Sequence, residues 1–212
     1  MVDPFDFFKD QFPQRSWSTI PTVLRTAYAA AADLAASDPI LQVESAEDNR
    51  GRLISWAVDL GMRRAIENGS LPCDFRWCEY AKPTGRYLEL RFSHSTASIS
   101  QVEDPKRQPR KVTFRENARL QTPNLFEDLE EPEPLTGAPH FILVHGYQQL
   151  NFAHFGLPSA TSSKKWEWYS SNLMKLPHEM PAEGPPAEDT DTDFGEVGLL
   201  KQEIEKWRRD HE

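Results

Sequence analysis

Cysteine is scarce: Cys73 and Cys78 are the only two in 212 residues. Their spacing is not the C-x-x-C of a redox or zinc site, so reduced thiols in a reducing compartment are expected. No apolar run approaches the roughly eighteen residues needed to cross a bilayer. The first residues, Met1-Val2-Asp3-Pro4-Phe5-Asp6, are acidic where a secretory signal would be basic. A cytoplasmic protein without membrane association is the expectation. Positive charge is also in deficit, with 24 Lys and Arg against 33 Asp and Glu and a net charge of −9. Bulk attraction to nucleic acid is therefore not expected, because binding a polyanion needs cations that displace its counterions.

Chemistry-bearing motifs are equally sparse. Leu143-Val144-His145-Gly146 resembles the strand-then-His-Gly element of α/β-hydrolases, but no G-x-S-x-G nucleophile elbow follows it. His140, His145 and His154 are spaced unlike any compact metal signature, and alternation along a strand would point His140 and His145 to opposite faces. No metal or cofactor is expected from these residues.

What is present is an organisation. Residues 1–15 interleave Phe5, Phe7, Phe8 and Phe12 with acids and a lysine, as an arm that packs its rings on a core or docks on another protein. Ile20, Val23, Leu24, Ala27, Tyr28, Ala31 and Leu34 recur at helical spacing and predict a helix over 20–36, with Ser18 as its cap. Ser45-Ala46-Glu47-Asp48 looks like a capping box for a second helix, which Asn68-Gly69 would end. Alternating patterns then predict strands over 74–80, 86–92, 97–102, 111–115 and 140–147, the last being the most apolar and so central. The stretch 149–155 reads equally as strand or helix, and 166–174 reads as helix. Residues 121–139, with five acids and four prolines, read as a long surface loop.

Residues 177–196 hold seven acids, four prolines and no Lys or Arg, so they have little to bury. Beyond them Val197, Leu200, Ile204 and Trp207 form one helical stripe, with Lys206, Arg208 and Arg209 toward the C-terminal end. The expected fold class is α+β: two N-terminal helices packed on a mainly antiparallel β-sheet, with a disordered acidic tail and a short C-terminal helix. The expected organisation is a folded domain at 1–176, a disordered acidic Pro-rich linker at 177–196 and an amphipathic docking helix at 197–212.

Two functional expectations follow. The first is a non-enzymatic protein-binding or regulatory protein, like a bacterial antitoxin or inhibitor. It would engage a partner protein through Val197, Leu200, Ile204 and Trp207. The second rests on Pro72-Cys73-Asp74 followed by Glu89-Leu90-Arg91, which resembles the P-D…(D/E)-x-K signature of restriction-endonuclease-like nucleases, with Arg91 at the lysine position. The resemblance implies Mg²⁺ held between Asp74 and Glu89 on adjacent strands, with Glu47 or Glu67 of the second helix as a further acid, and phosphodiester cleavage as the reaction. Nucleic-acid binding would then fall to the basic run Lys106, Arg107, Arg110 and Lys111, with Phe114 as a stacking platform.

Overall fold

The computed structural model describes residues 3–80, 85–121, 137–162 and 164–177. The expectations for the linker and the docking helix, including Val197, Leu200, Ile204 and Trp207, lie outside the described residues, as does most of the acidic loop. What is described is an α+β architecture with a mixed six-stranded sheet in the order β1-β2-β3-β4-β5-β6. The strands are β1 Asp74–Glu79, β2 Arg86–Arg91, β3 Thr96–Val102, β4 His140–Gly146, β5 Ala153–Pro158 and β6 Trp166–Tyr169. Neighbours are antiparallel except β3 and β4, which run parallel from Thr96↔His140 to Val102↔Gly146. Parallel strands need a crossover connection. It runs through a loop at 103–112 and then a helix, Thr113–Gln121.

The arm is helix α1, Pro4–Gln11. Asp3 caps it by accepting from the backbone N–H groups of Phe5 and Asp6 at 2.7 and 3.2 Å, and Pro4 occupies the first turn, where its missing N–H costs nothing. Helix α2 spans Thr19–Ser37 and buries Ile20, Leu24, Ala27, Ala31 and Leu34, the stripe that the periodicity predicts. Ser18 does not cap it; its hydroxyl donates to Arg15 O at 3.2 Å instead. The second helix starts later than expected. Glu44–Glu47 forms a separate short helix α3 that takes up the would-be capping box, and α4 runs Arg50–Glu67. Gly69, at φ +79, follows it in the left-handed conformation that glycine adopts without strain. The Thr113–Gln121 helix is α5.

Two assignments are corrected. The stretch 111–115, expected as a strand, enters α5, and 166–174, expected as a helix, is β6 followed by a 3-10 turn at Leu173–Lys175. Five alternating residues suit either state; here tertiary packing decides. Arg115 and Arg119, one helical turn apart on α5, donate to Ser100 Oγ of β3 and to the carbonyls of Ser159 and Ala160.

Register assigns the sheet's two faces. Ala97, Ile99, Phe141, Leu143, Phe155 and Leu157 share one face and join residues of α1, α2 and α4 in a single buried cluster. β4 is buried along its whole length, as expected of a central strand. The opposite face is more polar. It carries Asp74, Arg76, Glu89, Arg91, Ser98, Ser100, His140 and His154, with a small apolar cluster of Val102, Ile142, Val144 and Phe152.

Candidate functional site

Two rows of polar residues cross the second face. The first is Asp74–Arg91–Thr96–His140 and the second Arg76–Glu89–Ser98, each read across paired strands. Asp74 and Glu89 therefore do share a face on adjacent strands, one diagonal step apart. Such a step separates backbones by about 7–8 Å. The side chains do not form the expected carboxylate pair. Glu89 is buried, and its Oε1 accepts from Arg76 Nη2 at 2.8 Å. That bond and the charge of Glu89 raise the pKa of the exposed Arg76. Asp74 is exposed and faces Arg91 across the ladder. Glu47 and Glu67 belong to α3 and α4 and pair with Arg50 and Arg63. α4 meets the other sheet face, where Gln101 Nε2 donates to Gly51 O at 2.7 Å and Ser55 Oγ at 3.0 Å. The helix acids thus stand across the sheet from Asp74 and Glu89. Among the described residues, no three His, Cys, Asp or Glu side chains gather as a metal site would require.

The three histidines divide between the faces, as alternation requires. His140 is fully buried on the polar face, its Nδ1 bonded to Thr96 Oγ1 at 2.8 Å and its Nε2 to Ser98 Oγ at 3.0 Å. Burial, reinforced by the charge of Arg115, pushes its pKa down to about 4. His145 lies on the helix side, with Nδ1 at 2.8 Å from the Tyr28 hydroxyl, which also donates to Gly146 O. Burial lowers its pKa to about 4 against a raising bond to Gly146. Burial likewise brings His154 to about 4. All three are neutral at pH 7, and His140 and His145 are held by structural bonds.

The basic run occupies the loop between β3 and α5, and Lys106, Arg107, Arg110 and Lys111 are all exposed. Arg107 pairs with Asp104 at 3.5 Å. Phe114 is not the open platform expected. It stacks on Tyr87 at 4.0 Å between ring centroids, touches Tyr80 at 5.5 Å and carries the Arg115 guanidinium 5.1 Å from its ring. Arg115 itself is largely buried, bonded to Ser100 Oγ at 3.1 Å and Arg110 O at 3.3 Å, and its pKa falls to about 10 because burial penalises its charge. One contact was invisible in the sequence. Gln108 of the basic loop donates to Lys165 O, which brings the exposed Lys164 and Lys165 to the same region.

A separate groove of about 220 Å³ lies between α2 and α4, lined by small side chains such as Thr22, Thr26, Ala30, Ala57 and Gly61. Its walls approach closely at Gly61, where an added Cβ would stand 3.1 Å from Val23 Cγ1.

The class that these observations define is an α+β protein with a mixed six-stranded sheet, polar on its outer face. No protein-family model matches the chain, no curated protein matches it and no solved structure matches it. Among the described residues no helix is long and apolar enough to cross a membrane.

Proposed function

We propose that the protein is a non-enzymatic binding protein, regulatory in the manner of an antitoxin or inhibitor, that engages a partner protein through residues 197–212. One observation supports this reading above the others. Three side chains with catalytic potential on the sheet are taken up in internal bonds: Glu89 by Arg76, His140 by Thr96 and Ser98, His145 by Tyr28. A general base has to be within reach of substrate and free to accept its proton, and bonds of this kind tie a side chain to the protein instead. The apolar stripe of Val197, Leu200, Ile204 and Trp207 supplies the anchors, and the acidic run before it supplies reach.

Trp207 is the largest group on that stripe, and tryptophan is enriched among interface hot spots. Trp207→Ala is expected to weaken partner binding about thirtyfold, roughly 2 kcal/mol, and to leave the melting temperature of the protein alone unchanged. Partners recovered with the full chain would be titrated against both forms. A clear drop in melting temperature without partner would mean that the helix closes on its own domain and would defeat the proposal.

A second reading, nucleic-acid binding, is favoured by where the charge sits. The residues outside the described set carry 16 acids and five bases, which leaves the described residues with a formal charge of +2 against −9 for the whole chain. If the exposed Lys106, Arg107, Arg110 and Lys111 bind single-stranded nucleic acid, affinity should fall linearly with log salt. Replacing all four with serine should then flatten that slope by about three units. A slope unchanged by the quadruple substitution excludes this loop as the contact.

A further inference from the structure

The fold joins two basic runs that the sequence keeps 57 residues apart: Gln108, inside the run Lys106–Lys111, donates to the carbonyl of Lys165. The assembled surface exposes Lys106, Arg107, Arg110, Lys111, Lys164 and Lys165. The acids within the same stretches are Glu103, Asp104 and Glu167, and Asp104 is already spent on Arg107. Most of these cations therefore have no acid partner among the described residues.

We infer that this joined basic surface is the docking site of the chain's own acidic segment, residues 178–196. Charge complementarity is the first argument. The segment holds Glu179, Glu183, Glu188, Asp189, Asp191, Asp193 and Glu196 and no Lys or Arg, whereas the described residues are net positive. Attachment is the second. The described chain ends at Pro177, twelve residues after Lys165, so the acidic segment is tethered close to the surface in sequence. A flexible chain of about twenty residues has a root-mean-square span of about 25 Å. That span is comparable to the diameter of a small domain. Tethering makes the contact intramolecular, with an effective concentration on the order of millimolar, so several individually weak, solvent-screened attractions suffice. The segment covers the surface as a built-in polyanion, and any external polyanion has to displace it. Residues 197–212 follow this segment in sequence and are not part of the contact, so this inference does not depend on their partner.

Zero-length carbodiimide cross-linking of the full chain tests this, because it joins a lysine amine to a carboxylate only when the two are in contact. Cross-links are expected from Lys106, Lys111, Lys164 and Lys165 to acids within 179–196. Their yield should be unchanged by tenfold dilution, since the contact is within one chain. It should fall at least about fivefold in 0.5 M NaCl, where the screening length shrinks to about 4 Å. The variant R107E/R110E should lose the links from Lys164 and Lys165 while retaining the wild-type melting temperature. Lys9, on α1, is the internal control. Equal linking of Lys9 to the segment, yields that fall in proportion to dilution, or no links from the four patch lysines would each overturn the inference.

Discussion

Replacing Phe8 with alanine is expected to cost about 3–5 kcal/mol of folding stability. Phe8 sits in the eight-residue helix α1, which has few contacts of its own to hold it, yet its side chain is fully buried. Its ring lies 4.6 Å from Phe141 on β4 and 4.7 Å from Phe155 on β5, and within 6 Å of Phe12, Trp17, Phe92 and Trp168. Truncation removes the apolar burial and leaves a cavity whose walls belong to α1, the segment after it, three strands and the residue that follows β2, so the site cannot collapse by moving one element. Gln11 adds a second tie, since its Oε1 accepts from Ser93 Oγ at 3.1 Å and His94 N at 2.6 Å. Denaturant unfolding should show a lower midpoint, and the melting temperature should fall by about 10 °C. Phe5→Ala, at a partly buried position, should cost less than half as much. Equal stability of Phe8→Ala and the wild type would mean that the arm is a docking peptide and not part of the core.

Acidification from pH 7 to pH 5 is expected to remove about 3 kcal/mol of stability, and the Asp59→Asn variant should lose about 5 kcal/mol over the same range. The sign follows from two opposed sets of groups. His140, His145 and His154 have folded pKa values near 4 because burial disfavours the imidazolium, against about 6.5 unfolded. Their stabilisation is fully present above pH 6.5 and is lost as pH falls toward 4, because only the unfolded chain then takes up the protons. Asp59 acts the other way. Burial lifts its carboxyl from 3.8 to about 7, so the folded state binds a proton that the unfolded state releases. Its contribution is present below pH 3.8 and is lost as pH rises through 7. Between pH 7 and 5 the histidines lose more than Asp59 regains. Denaturant titrations at the two pH values, for wild type and Asp59→Asn, measure both terms. A stability flat between pH 7 and 5 in the Asn variant would show that the three histidines are not held neutral.

How much of this was legible beforehand depended on whether the deciding interaction was local. The stripe of α2 and the glycine stop at Gly69 were readable because helix periodicity and left-handed backbone are properties of a few adjacent residues. The alternation of β1, β2 and β3 was readable for the same reason, and so was the placement of β4 at the centre, since a run such as Phe141 to Val144 can only be buried on both faces. The Asp74–Glu89 pairing was half legible: the nuclease resemblance implied adjacent strands, but only the register put both on one face, and nothing in the order of residues showed that Arg76 would take Glu89 first.

Only the tertiary structure decided the rest, and in each case the deciding partner is distant in the chain. α5 is tied to the sheet by Arg115 and Arg119, which reach Ser100 and the Ser159–Ala160 carbonyls, and β6 pairs with the edge that β5 offers it. β3 and β4 run parallel because a crossover, and not a hairpin, joins them. The two basic runs became one surface through a single amide, Gln108, bonded to Lys165. Local pattern specifies which residues want burial and which backbone states they favour, whereas long-range pairing is chosen by the free energy of the whole packed arrangement. That is why this sequence by itself determined its two long helices, its central strand and its charge partition, and why the partners of its polar side chains came only with the fold.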